Sequence, residues 1–290
     1  MASQSSVIES TVPQAEDEWI RQSCGFYACP VCKQGLEPVH DELSCRVCTR
    51  TYPIVSGIPD FIVVNLEESR NRTLHILGKK DSRPLLNFAA SVYETCLYPA
   101  VCNLYGGWRC TSLRKLAADV VGIVGSRDGV ILDVACGPGT YGRRIASASK
   151  TVYGIDACMS MLRRGVHYVE SGHIPNVHFA RATVEALPFR AGLFDAAVCA
   201  GSLNHFSDTV LALREIGRTM KAGAPLAVMC FFAGSEGLMK YKSLRDRAEK
   251  HGGHIFELPD LGRYVTEAGF EDFRSQAYGS IVVCSARKRP

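Results

Sequence analysis

The chain has 290 residues, with 33 Lys plus Arg against 29 Asp plus Glu, and 13 cysteines. Apolar types make up 47% and charged types 21%, which predicts a sizeable core and argues against global disorder. A net charge of +4 is too weak to point to nucleic acid, and an odd cysteine count behind a polar, acidic start argues against an extracellular disulfide scaffold.

In chain order, the opening MASQSSVIESTVPQAEDEWIRQ has neither the apolar run of a secretory signal nor the arginine-rich, acid-poor character of a transit peptide. No run approaches 18 apolar residues, so no spanning helix is expected, and the reading is a cytoplasmic protein. Residues 1–65 hold eight acids and four bases, net −4, leaving +8 on the remainder. That charge break coincides with a change in cysteine pattern. It places a small domain over 23–65 behind a disordered lead over 1–22; a linker with helical patches over 66–127 and a larger α/β domain over 128–290 follow.

Within the small domain, Cys29-Pro-Val-Cys32 and Cys45-Arg-Val-Cys48 are separated by twelve residues. Each pair is a turn that sets two thiolates on one tetrahedral ion, and a short hairpin brings the pairs together. Four sulfur ligands leave no open position, so Cys29, Cys32, Cys45 and Cys48 are expected to hold a structural Zn²⁺ that supplies the folding energy so small a core lacks. A redox pair fits poorly, since two CxxC pairs occur outside any βαβ context. Cys24 reads as a spare thiol. The following TYPIVSGIPDF, residues 51–61, predicts a rigid extended segment pressed against a neighbour. From CPVC through this segment, residues 27–62 resemble the small zinc ribbons associated with several class I methyltransferases.

Helical spacing recurs over Leu85, Phe88, Ala89, Val92 and Tyr93, and again over Leu113, Leu116, Ala117, Val120 and Val121. From residue 130, β-branched runs alternate with helical patterns, the signature of βαβ units around a parallel sheet. Strands are predicted over 130–134, 151–155, 177–181, 196–200, 226–231, 270–276 and 280–286. Helices are predicted over 141–149, 158–165, 209–220, 240–250 and 260–268.

The run VILDVACGPGT, residues 130–140, is a buried strand entering a glycine turn, and Asp156 closes the next strand 17 residues beyond Gly139. An acid there suits a ribose diol. Gly137, Gly139 and Gly142 formally meet the dinucleotide spacing, but Asp133 at the strand end would repel a pyrophosphate and suits a cationic ligand. LDVACGPGTY (132–141), YGIDACMSML (153–162), ATVEALPF (182–189) and FDAAVCAGSLNHF (194–206) resemble, in order, the four motifs of the class I S-adenosylmethionine-dependent methyltransferases.

The resemblance implies a Rossmann-like, mostly parallel seven-stranded sheet, S-adenosylmethionine as cofactor, and a helical lid over the acceptor. It also implies a cofactor site from Asp133, Ala135, Gly137, Gly139, Tyr141, Asp156, Ala157, Met161, Thr183, Val184 and Glu185. In it, Asp156 receives the ribose hydroxyls, Met161 or Ala157 lines the adenine pocket, and Glu185 either supports that pocket or braces a turn. Thr183 stands where the family usually has an acid, and Ala222-Gly223-Ala224 where it has Pro-Gly-Gly. His205 and Asn204 are the catalytic candidates; His205 is either a general base, its ordinary pKa being near neutrality, or a wall against the cofactor. Tyr93, Tyr105, Trp108, Arg109 and His254 are candidates for contacting the acceptor. The expected acceptor is a small, lipophilic or secondary-metabolite molecule. The ribbon's acidity and the lack of an N/D-P-P-Y/F motif weigh against the alternative, ribosomal or transfer RNA. A non-catalytic ribbon-bearing interaction protein is the second alternative. Oligomeric state is left open by the sequence.

Overall fold

The computed structural model describes residues 25–62, 92–106, 113–125, 128–146, 150–234, 238–250 and 253–290. Trp108, Arg109, Cys24 and the helical pattern over 85–91 lie outside them. No helix among the described residues is long and apolar enough to cross a membrane.

The N-terminal unit is a four-stranded antiparallel sheet, β1 (Glu37–Val39), β2 (Glu42–Ser44), β3 (Thr51–Val55) and β4 (Ile58–Pro59), in that order. Its two cysteine turns are built alike. Lys33 N–H bonds Cys29 C=O at 2.8 Å and Thr49 N–H bonds Cys45 C=O at 2.9 Å. Cys29 N–H reaches Gln34 C=O at 2.8 Å, and Cys45 N–H reaches Arg50 C=O at 2.9 Å. Lys33 and Thr49, each directly after a second cysteine, sit at φ of 60° and 58°. So the same local turn is made twice from the same spacing.

A π-helical turn, Tyr93–Leu97, leads into α1 (Tyr98–Gly106), followed by α2 (Leu113–Val124). The buried Leu116, Ala117, Val120 and Val124 give α2 its apolar stripe. That stripe lies on the sheet, so α2 belongs to the helical layer.

The larger sheet comprises β5 (Gly129–Val134), β6 (Lys150–Asp156), β7 (Val177–Arg181), β8 (Ala196–Ala200), β9 (Pro225–Phe231), β10 (Phe270–Tyr278) and β11 (Ile281–Lys288). Its order is β10-β11-β9-β8-β5-β6-β7; β5 to β9 are parallel neighbours and β10 and β11 antiparallel. Helices α3 (Gly142–Ile145), α4 (Met159–Ser171), α5 (Thr209–Thr219), α6 (Lys242–Lys250) and α7 (Leu258–Glu267) connect the strands. Alternate strand residues feed two cores. Leu132, Val134, Ile155, Cys199, Val228 and Cys284 face one side; Ile131, Val152, Phe179, Val198, Met229 and Val283 face the other. Both faces are covered, which is why the strands read as continuous apolar runs. The chain moves outward from β5 to β7 and returns to β8 beside β5. A crevice therefore opens at the carboxyl ends of β5 and β8.

The ribbon is continuous with this body. Tyr27 stacks on Phe189 at 5.4 Å and meets Phe61 at 5.2 Å, and Leu43, Tyr52 and Phe61 share one core with Tyr153 and Phe194. Asp60 pairs in parallel with Arg181, and Phe61 N–H bonds Arg181 C=O at 2.8 Å. This pairing covers part of the exposed rim of β7, an edge strand otherwise open to association. The segment 51–61 is thus pressed against a neighbour, as its prolines and large apolar residues predict.

Candidate cofactor site and zinc centre

The four cysteine sulfurs of the ribbon all lie within 4.8 Å of one another. Cys29 and Cys48 sulfurs are 3.5 Å apart and those of Cys32 and Cys45 are 3.4 Å apart. These are too long for a disulfide, and near the ~3.8 Å edge of a tetrahedron with Zn–S bonds of about 2.3 Å. The donor set therefore fits Zn²⁺. Tyr52, fully buried, brings its hydroxyl to 3.1 Å from Cys29 Sγ and so orients one ligand.

At the carboxyl end of β5 the backbone turns sharply through Ala135, Gly137 and Gly139, at φ of 52°, 55° and 75°. A side chain at Gly139 would also strike the Phe179 ring at 2.9 Å, so only glycine fits both demands. Gly137 N–H donates to Asp156 Oδ2 at 2.8 Å, and Cys158 N–H donates to Asp156 Oδ1 at 2.8 Å. The carboxylate at the end of β6 is thereby fixed against the glycine turn.

Asp133 is fully buried, and its Oδ2 accepts the Gly142 N–H at 2.8 Å. Burial pushes its carboxyl up to about 7 against that hydrogen bond, and the charge of Asp156 adds to the rise. Among the described residues Asp133 has no ion pair. Two acids thus converge at the mouth of the turn, an electrostatic setting that opposes a pyrophosphate and suits a cationic ligand bearing a diol.

Tyr141 is buried, and its hydroxyl is shared with Tyr98 of α1 at 2.8 Å and with Met229 Sδ at 3.5 Å. Ala157 C=O accepts from Arg181 Nε at 3.0 Å. Met161 is half-buried in the first turn of α4. After β7, extended Thr183 leads into a 3₁₀ turn over Val184–Ala186, with Glu185 Oε1 accepting the Ser207 hydroxyl at 3.1 Å. The last contact ties Glu185 to the loop after β8.

Asn204 is buried with every amide group engaged. Its Nδ2 donates to Phe231 C=O at 2.8 Å and His254 C=O at 2.6 Å, and its Oδ1 accepts Phe231 N–H at 2.8 Å. Its own C=O accepts His254 N–H at 2.7 Å. It clasps the end of β9 and the 253–256 segment to the β8 loop. His205, next to it, is exposed, and the protein around it pulls its pKa below the ordinary histidine value by desolvation. It is therefore neutral at pH 7. Tyr105 lies on Phe231 with ring centroids 4.6 Å apart and accepts Ser280 N–H at 3.0 Å through its C=O. His254 is exposed, its ring 4.7 Å from Phe256. Tyr93 begins the π-helical turn.

Four contacts escaped the sequence reading: Tyr98 with Tyr141; Glu94 with Thr140 Oγ1 and with the Arg143 guanidinium; and Asp60 with Arg181. Each joins residues at least 43 positions apart, beyond the reach of local pattern. Cys136, Cys199 and Cys230 are buried, and burial pushes their thiols up, so they are core residues and not nucleophiles.

A doubly wound sheet, a glycine turn and an acid closing the second strand, joined to a four-thiolate ribbon, are the features expected of an S-adenosylmethionine-dependent methyltransferase. The family model described as a methyltransferase domain matches residues 131–223, and that of Trm112p-like proteins matches residues 26–57. An uncharacterised chloroplastic methyltransferase of Arabidopsis thaliana is 22% identical, over 99% of this chain and 84% of its own length. A ubiquinone/menaquinone biosynthesis C-methyltransferase of a Geobacter species is 33% identical over 41% of this chain; the match spans 51% of that relative. In three dimensions, phosphoethanolamine N-methyltransferase 2 of Haemonchus contortus, solved with S-adenosylmethionine, superposes with a TM-score of 0.60 at 15% identity, over 83% of this chain and 62% of that one. The chain thus carries a methyltransferase domain, matched over residues 131–223, behind a Trm112p-like zinc ribbon.

Proposed function

We propose that the chain methylates a small, lipophilic acceptor that enters at the carboxyl edge of the sheet, between Tyr105 and Phe231 on one side and the His205 and His254 loops on the other. What supports this is the Tyr105 ring on Phe231 at the end of β9 and the His254 ring beside Phe256, at the sheet edge where Asp133 and Asp156 lie at the ends of β5 and β6. The Geobacter relative's name, a ubiquinone/menaquinone biosynthesis C-methyltransferase, supports the acceptor class. When bound, S-adenosylmethionine supplies an electrophilic methyl group on a sulfonium. Asp156 holds the ribose, Asp133 faces the ammonium, and Met161, Thr183 and Val184 line the adenine side. Neutral His205 takes the proton that the acceptor releases, and Asn204 positions the loop that carries it. The cytoplasm is the proposed site of action. Trp108 and Arg109 are retained as acceptor contacts on the sequence reading alone.

The test is transfer of isotope-labelled methyl groups into fractionated cell extract. Label in the organic phase is the expected result, and His205→Ala should slow that transfer without altering cofactor affinity. Label in total RNA would replace this reading with the RNA alternative.

The two acids also set a pH dependence. Asp133 is protonated below about pH 7, whereas the cofactor's ammonium keeps its charge below about 7.7. Binding a cation needs the carboxylate, so affinity should fall as pH drops through 7, by up to about tenfold per unit. Titration from pH 5.5 to 7.5 checks this, and Asp133→Asn should flatten the curve. An equally steep curve in that variant would assign the effect to another group.

A further inference from the structure

We infer that the zinc ribbon is a positioning part of the cofactor pocket, with Asp60 at its exit setting the Asp156–Ala157 corner through Arg181. The inference rests on the reading of that corner as the ribose and adenine edge. Arg181 is the last residue of β7, and its guanidinium joins Asp60 to Ala157. NH1 meets Asp60 Oδ2 at 2.9 Å, and Nε donates to Ala157 C=O at 3.0 Å. Both charged side chains are only 14% exposed, so the pair is shielded from the screening that weakens surface ion pairs.

The carbonyl that Arg181 holds belongs to the peptide plane between Ala157 and Cys158. The other end of that plane is the Cys158 N–H, which donates to Asp156 Oδ1 at 2.8 Å. One rigid amide is therefore pinned on one side by Arg181 and on the other by the carboxylate assigned to the ribose. Tilting the plane would break the bond that fixes the rotamer of Asp156. Arg181 carries no such order by itself, since a long, flexible side chain loses much rotamer freedom in this pose. Asp60 supplies the order. Its Oδ1 accepts Ile62 N–H at 3.0 Å, and the adjoining backbone is locked by Phe61 N–H to Arg181 C=O at 2.8 Å and Asp60 N–H to Pro53 C=O at 2.8 Å. The last bond ties it to β3 and so to the zinc-bearing hairpin. Arg181 is thus a positioning residue, and Asp60 the ribbon's hold on it.

The experiment is calorimetric titration of S-adenosylmethionine into the full-length, zinc-loaded chain. Asp60→Asn keeps the shape and removes the charge. It should raise the dissociation constant about tenfold, keep one zinc per chain and shift the melting temperature by no more than about 2 °C. Lys33→Met breaks a second ion pair between ribbon and body, with Glu215. It should lower the melting temperature and leave the dissociation constant unchanged. Arg181→Lys cannot span both partners and should match Asp60→Asn, with the double variant no weaker than Arg181→Lys alone. Unchanged affinity in Asp60→Asn, or equal affinity losses in Asp60→Asn and Lys33→Met, would overturn the inference. A zinc-loaded parent chain that binds no S-adenosylmethionine would overturn the cofactor reading itself, and this inference with it.

Discussion

Asp156→Ala is expected to weaken S-adenosylmethionine binding by about 100-fold while the chain stays folded. The proposed contact is a carboxylate accepting both ribose hydroxyls, two charge-assisted hydrogen bonds of about 1.5–3 kcal/mol each. Losing about 3 kcal/mol corresponds to a factor of about 100 in the dissociation constant. The same carboxylate also holds Gly137 N–H and Cys158 N–H, each at 2.8 Å, so its loss loosens the glycine turn as well. Asp156→Asn preserves the volume but exchanges an acceptor for a donor, and a loss of similar size is expected. Equilibrium binding, with circular dichroism as the check on folding, measures both variants. An unchanged dissociation constant in folded Asp156→Ala would mean that the ribose sits elsewhere.

The second large effect concerns the metal. Cys45→Ser, or removal of zinc with a chelator, is expected to lower the melting temperature of the whole chain by about 10 °C or more. A structural zinc ion contributes folding energy directly, and here the ribbon's Tyr27, Leu43, Tyr52 and Phe61 belong to the same core as Tyr153, Phe189 and Phe194. Unfolding the ribbon would expose both sides of that contact. Thermal unfolding of parent and variant, each with its zinc content measured, provides the comparison. A Cys45→Ser chain that melts with the parent would show that the ribbon contributes nothing to the stability of the body.

Much of the fold is legible in the residues because buried parallel strands advertise themselves. The runs at 177–181 and 196–200 coincide with β7 and β8. The zinc ligands are equally legible, since their spacing is the turn geometry. Reading α4 as ending at Gly165 fails, because that helix continues to Ser171. Gly165 looks like a stop, yet it sits mid-helix because an added Cβ would lie 2.7 Å from the Phe179 ring. Close packing of helix on strand requires it, and that demand comes from a residue on the next strand.

The predicted helix over 141–149 is described only over Gly142–Ile145, with Ala146 already extended at φ −57° and ψ 133°. At the site, glycine turn and strand-end acids follow from local sequence. Which donors and acceptors are already engaged does not. Asn204 and Tyr141 look free to act in the sequence, and in the fold the amide of one and the hydroxyl of the other are taken by partners on distant elements. The ribbon's link to the cofactor corner is likewise a property of topology. Asp60 and Arg181 lie 121 residues apart in the chain and 2.9 Å apart in space.

We propose that the glycine turn and the acids of β5 and β6 form an S-adenosylmethionine site in a chain completed by zinc. Its most direct test is calorimetric titration of S-adenosylmethionine into the zinc-loaded, folded protein at pH 7.5. Saturable binding at one cofactor per chain is expected, weakened about 100-fold in Asp156→Ala. Absence of binding to a chain shown to be folded and to carry zinc would contradict it.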